Sequence, residues 1–210
     1  CERSTSGAGD SPNRPYDHSL TYNVLMTCLI LVKHAMPEID TALPPPRWLL
    51  GEAGRAGARL LADGLAPYAP SVIVTSNEPK AAETGAIVGE RFGVPVSQRP
   101  DLHEHVRDAL PFLGTEDFHA RISEVFARPD ERVVGQESAT EALARFSRAV
   151  HETLAAYAGT VVIATHGTVL SLFVAACTGV DGFDLWTRLD LPSYVVLARP
   201  ELGLVSIVES

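Results

Sequence analysis

Two short, continuously apolar runs constrain this chain more than any other feature: Cys28-Leu29-Ile30-Leu31-Val32 and Val161-Val162-Ile163-Ala164. Aliphatic, β-branched stretches of that length with no polar alternation are the pattern of strands buried on both faces. Such strands require helices on each side of their sheet, and the intervening sequence supplies them. An amphipathic segment spans 52–65, and a second helix spans 79–92, where Pro79 suits a first helical turn. Further helices are expected over 115–128, 138–157 and 168–177, with Ser138 and Glu141 at capping-box spacing. Additional strands read at 71–75, 94–96, 193–199 and 203–208, and 99–115 has no regular pattern. Strand and helix thus alternate for most of the length. That alternation predicts a three-layer α/β/α sandwich with a mostly parallel central sheet, and the last two strands can add an antiparallel edge.

Two hundred and ten residues suit one such domain. The apolar content of 46% and the charged content of 20% are those of ordinary globular proteins. Residues 1–20 are rich in Ser, Gly, Pro, Asn and Asp and nearly devoid of large apolar side chains. This predicts a flexible extension or vector-derived tail over 1–25, ahead of a domain over 26–210 with Met26 as a natural start. The leading Cys1 leaves a second reading open, the lipidated first residue of a mature bacterial lipoprotein. Cys28 and Cys177 both lie in apolar surroundings and read as small hydrophobes, so neither a disulfide framework nor a zinc ribbon is expected. A net charge of −9 disfavours nucleic-acid and anionic-membrane partners. No apolar stretch reaches the roughly 18 residues of a membrane span. The default expectation is a cytoplasmic enzyme; a homodimer is left open.

In parallel sheets, ligands collect at the carboxyl ends of the strands. His34 directly ends the first buried strand, in Leu31-Val32-Lys33-His34, and His166 directly ends the second, read from Thr160 to Thr165. If the two strands are neighbours, both imidazoles enter one crevice, and the Gly167-Thr168 backbone opens a helix whose free N–H groups favour an anion. A third strand ends in Ser76-Asn77-Glu78-Pro79-Lys80. Lys80 falls in a first helical turn, where the helix dipole disfavours a cation, so an anion bound there would remove the conflict. Lone histidines after strands are usually loop residues; two of them, with Lys33 and Lys80 at hand, point to anion chemistry. His103 and His105 have the spacing of paired metal ligands on a strand, but lack an obvious third and fourth ligand, so no metal is expected. His18, His119 and His151 lie in the tail or on polar helical segments and read as solvated.

Val32-Lys33-His34-Ala35 resembles the Arg-His-Gly motif of the histidine phosphatase superfamily, the phosphoglycerate-mutase-like proteins. The stretch from Thr75 to Thr84 resembles that family's Ser-Ser-Pro…Arg-Ala…Gln-Thr segment. Leu102-His103-Glu104 resembles its acid segment, Gly135-Gln136-Glu137-Ser138 a helix start, and Thr165-His166-Gly167 its second-histidine motif. The matches occur in the family's order and cover roughly 27–178. The resemblance implies a phosphomonoester hydrolase acting on a small phosphorylated metabolite, without cofactor or metal. His34 would be the nucleophile, His166 a phosphate-oxygen partner, Glu104 the general acid and then base, and Lys33 and Lys80 the cationic clamp. Asp108 is the second choice for the acid, and Arg107 stands in reserve as a cation.

Three positions depart from the family pattern: Lys33 and Lys80 replace arginines and Ala35 replaces a glycine. Lysine keeps the charge but loses the planar two-pronged grip on phosphate. Two other readings follow from the same resemblance. One is a mutase, disfavoured by the compact 99–137 region and the non-basic terminus; the other is a non-catalytic phospholigand-binding protein, suggested by the two lysines.

Overall fold

A computed structural model of the chain describes residues 27–107 and 113–209. The expected extension over 1–25, with Cys1 and His18, and the alternative acid Asp108 lie outside them.

The first apolar run forms β1 (Cys28–Lys33) and the second β4 (Val161–Thr165). Between them come α1 (Glu52–Gly64), β2 (Val72–Thr75), α2 (Pro79–Phe92), β3 (Val96–Gln98), α3 (Thr115–Ala127) and α4 (Ala139–Ala156). After them come α5 (Gly167–Thr178), α6 (Gly182–Arg188), β5 (Ser193–Ala198) and β6 (Gly203–Val208). The strands form one six-stranded sheet in the order β3-β2-β4-β1-β5-β6. The first four are mutually parallel; β5 runs antiparallel to β1, and β6 to β5. The expected α/β architecture is therefore present.

Strand alternation divides the core in two. Leu29, Leu31, Val74, Ile163 and Leu197 face one side and pack with α4 and α5 through Phe146, Val150, Leu170 and Phe173. Ile30, Val32, Ile73, Val162 and Val196 face the other side and pack with Leu61, Leu65 and Val88 of the α1–α2 layer. Burying both faces explains why the two central strands carry no polar alternation. Helix α4 opens as the spacing predicts: the Ser138 hydroxyl accepts from the Glu141 amide, and the Glu141 carboxylate accepts from the Ser138 amide.

Several expectations change. The strand expected at 94–96 begins only at Val96, because Pro95 has no N–H for the ladder and contributes its carbonyl to the Ile73 amide instead. Helix α6 was not expected. Its signal is Asp181, whose side chain accepts from the Asp184 amide and caps the helix. Cys28 is buried as expected, whereas Cys177 is exposed near the end of α5. Among the described residues, no helix is long and apolar enough to cross a membrane.

Candidate active site

β1 and β4 are paired in parallel with Lys33 opposite Thr165, so the next residue of each strand also falls in step. The His34 amide donates to the Thr165 carbonyl at 3.0 Å, and the Ser76 amide to the Ala164 carbonyl at 2.9 Å. The ladder thus continues one residue past each strand and places His34, His166 and Ser76 side by side. The two imidazole centroids are 5.2 Å apart, edge to face, with His34 only 8% exposed and His166 wholly buried.

The ring nitrogens have distinct roles. His34 Nδ1 lies 2.8 Å from the Ala35 carbonyl, which can only accept, so the hydrogen bond assigns the proton to Nδ1 and leaves the Nε2 lone pair free. Burial, reinforced by His166 and Lys80, holds the His34 ring well below the ordinary histidine pKa. Burial, with Lys80, does the same for His166. His166 Nε2 meets the Ser76 hydroxyl at 2.9 Å and a Glu78 carboxylate oxygen at 3.5 Å. Its Nδ1 is buried with no hydrogen-bond partner among the described residues, an uncommon condition that marks functional positions.

Both helix starts expected to attract an anion have a carboxylate of the chain beside them, although only the one at α5 bonds the helix amides. At α2, Glu78 occupies the N-cap position, and its carboxylate meets Lys80 Nζ at 2.5 Å; the Lys80 ammonium also donates to the Pro45 carbonyl at 2.9 Å. The cation in the first turn is therefore stabilised by an internal carboxylate rather than by a required ligand. At α5, the Glu104 carboxylate accepts from the Thr168 amide at 3.1 Å and the Val169 amide at 3.3 Å. It also accepts from the His105 amide at 2.8 Å and faces Arg107 at 3.5 Å. Burial pushes the Glu104 carboxyl up, but the Arg107 guanidinium and the His105 and Thr168 amides outweigh it and hold it well below the usual carboxylate range. The Glu78 carboxylate in turn accepts from the Glu104 amide at 2.9 Å.

Every candidate the sequence supplied within the described residues lines one cleft: Lys33, His34, Lys80, Glu104 and His166. Lys33 donates to the Leu189 carbonyl; burial lowers its pKa against the opposing pull of Glu104 and Asp190. Ala35 is fully buried beside Leu50 and Ala58, and its amide donates to Thr84 Oγ1. His103 and His105 each have one ring nitrogen engaged by the backbone. The His103 ring bonds the Glu104 carbonyl and the His105 ring the Glu137 carbonyl, and no group of three metal-ligating side chains occurs among the described residues.

Sequence reasoning missed Glu78, Ser76 and Thr168, and gave Arg107 only a reserve role. Arg107 spans the site: its guanidinium donates to Thr168 Oγ1 at 3.2 Å, faces Glu104 and lies 5.3 Å over the Phe118 ring. Glu78 carried a signal, a carboxylate before Pro at a strand end two residues from an ill-placed lysine, but its bond to the Glu104 amide depends on the fold. A bracing layer was also missed. Arg145 donates to the carbonyls of Asp101, His103 and Glu104 and forms an ion pair with Glu137 at 2.7 Å, while Glu137 accepts from the Val106 amide. Gly135, at φ +83°, allows the segment to close, since a Cβ there would lie 2.2 Å from the Val106 carbonyl oxygen.

Comparison with known proteins adds a family and a fold. A sequence model of the histidine phosphatase superfamily (branch 1) matches residues 30–202. Among solved structures, a mycobacterial glucosyl-3-phosphoglycerate phosphatase is similar with a TM-score of 0.68 at 22% identity, covering 82% of this chain and 90% of that one. YhfR of Bacillus stearothermophilus is similar with a TM-score of 0.65 at 22% identity, over 87% of this chain and 96% of that one. A Thermus thermophilus protein, TTHB049, gives 0.63 at 25% identity, over 87% and 99%. No curated protein sequence matches the chain.

Proposed function

Because this chain belongs to branch 1 of the histidine phosphatase superfamily, we propose that it hydrolyses phosphomonoesters through a phosphohistidine on His34. One observation carries the reading: a neutral His34 with a free Nε2, 5.2 Å from His166, at the carboxyl ends of two strands in register. In the first step, Nε2 attacks phosphorus in line; the N–P bond forms as the P–O bond to the alcohol breaks. The leaving oxygen takes a proton from Glu104 and departs as the alcohol. In the second step, Glu104 takes a proton from water, the water oxygen bonds phosphorus, and the N–P bond breaks to release inorganic phosphate.

Glu104 can serve as the acid only if its proton affinity rises from the resting state. A phosphate dianion arriving at the start of α5 competes for the Thr168 and Val169 amides and for Arg107. Losing those donors and gaining a neighbouring anion both favour the protonated carboxyl. Lys33, Lys80 and Arg107 hold the equatorial oxygens, where preorganised charge acts most strongly. Lys80 must exchange some of its bond to Glu78 for the phosphate, so the resting carboxylates occupy donors that substrate later uses. The mycobacterial neighbour's printed substrate, glucosyl-3-phosphoglycerate, belongs to a protein at 22% identity and gives this chain only its general class, a phosphorylated small molecule.

The test is trapping during turnover of a radiolabelled aryl phosphate, with quenching in acid-free denaturant and a metal chelator present throughout. Label is expected on His34, with no label and no turnover in His34→Ala. Label on another residue, activity surviving in His34→Ala, or dependence on an added divalent metal would each refute the scheme.

A further inference from the structure

Beyond the reacting floor, the cleft is far larger than a phosphoryl group requires. Its volume is about 840 Å³, within the range of sites that enclose a whole small molecule. Much of the remaining lining is apolar. It includes Ile39 and Leu43 from the loop between β1 and α1, and Phe118 of α3 and Trp186 of α6. Those aromatic rings lie 5.9 Å apart, and Trp186 is stacked against Phe183, so that wall is held in place from behind. Ile39 is 55% exposed and Leu43 40%, although nothing in the core uses them. Exposed apolar side chains gathered at the mouth of a cleft are a mark of ligand contact.

Charge divides the same cleft. Its described cations, Lys33, Lys80 and Arg107, all have partners near the histidines: the Leu189 carbonyl, Glu78 with the Pro45 carbonyl, and Glu104 with Thr168. Among the described residues that line the cleft, no further cation stands to meet a second anionic group on a substrate, such as a carboxylate or another phosphate. Desolvating such a group without a partner is costly. We propose that the cleft selects phosphomonoesters of apolar, uncharged alcohols, with the organic group held between the Ile39–Leu43 loop and the Phe118–Trp186 wall. This rests on the phosphatase reading and names the substrate class for it.

Calorimetry with ethyl-, butyl- and hexylphosphonate, which cannot be hydrolysed, tests the walls without turnover. Affinity should rise about fourfold per added methylene, the equivalent of about 0.8 kcal/mol for each CH₂ buried. Carboxyethylphosphonate should bind more weakly than ethylphosphonate. An Ile39→Ser, Leu43→Ser double variant alters exposed positions outside the core and should flatten the series. A flat series in the native protein, or tighter binding of the carboxylate analogue, would overturn the assignment. Turnover of the matching alkyl phosphates is measured alongside. A steep binding series with no ester hydrolysed would refute the hydrolase and leave the apolar cleft standing; hydrolysis with a flat series would do the reverse.

Discussion

A proton on His34 would sit on a largely buried ring beside His166 and Lys80. The ring therefore favours the neutral form, as the proposed nucleophile must. Both imidazoles have pKa values depressed below the unfolded value of about 6.5, so as pH falls through that value the unfolded chain binds protons that the native state does not. Their contribution to stability is then fully present above about pH 6.5 and declines below it toward the folded values. Imidazole ¹⁵N spectra should show both rings neutral at about pH 6.5, the midpoint for an unperturbed histidine. An imidazolium signal from either ring at that pH would show that solvent or an anion reaches the pair more freely than its burial allows. At this scale the sequence was informative where chemistry coincides with a strand end, as at His34 and His166. At Glu78 it gave only the local hint of the nearby Lys80, since the Glu104 amide that the carboxylate also accepts from comes from a separate segment.

The 101–107 segment has no regular secondary structure beyond a short turn at Pro100–Leu102, yet it carries Glu104 and Arg107. Its order comes from α4. Arg145 binds three of its carbonyls, and Glu137, just ahead of the Ser138 cap, binds the Val106 amide. The Arg145 and Glu137 side chains are only 13% and 14% exposed, so removing one leaves the other charge poorly solvated. Arg145→Met should cost about 3 kcal/mol of stability. It should also lower kcat at temperatures where the variant is fully folded, because Glu104 loses its backing. Denaturant titration and kinetics check the two effects separately; unchanged kcat in a folded variant would mean that the segment holds its own shape. Helices and strands were legible here from periodicity and caps. The brace was not, since an arginine on an exposed-looking helical stretch gives no sign that its partners are carbonyls in a distant irregular segment.

Across the whole molecule, the His34–His166 pair stands on the two innermost strands. β4 lies between β2 and β1, and β1 between β4 and β5, with helical layers on both faces. Local opening cannot expose such strands without disrupting the sheet. The amides of Leu31 and Ile163 should therefore exchange hydrogen only through global unfolding, and no faster than any amide in the surface helices. Measurably faster exchange at either position would place the site on a separately opening unit. The architecture was legible because two uninterrupted apolar runs permit few other arrangements. The cleft walls were not, because the loop between β1 and α1 and the packing of α6 have no repeating pattern to read.

The register that sets Lys33 opposite Thr165 also has a meaning in time. A ribosome makes β1 before β4, and helices α1 to α4 between them all appear before the two strands can pair. Until β4 arrives, β1 lacks its parallel neighbour, and His34 has neither its amide's acceptor at Thr165 nor the ring of His166 beside it. Contacts so distant in sequence are slow to form and arise late in folding. A nascent or misfolded chain thus carries the proposed nucleophile without its surroundings, and on that reading activity reports on the completed fold.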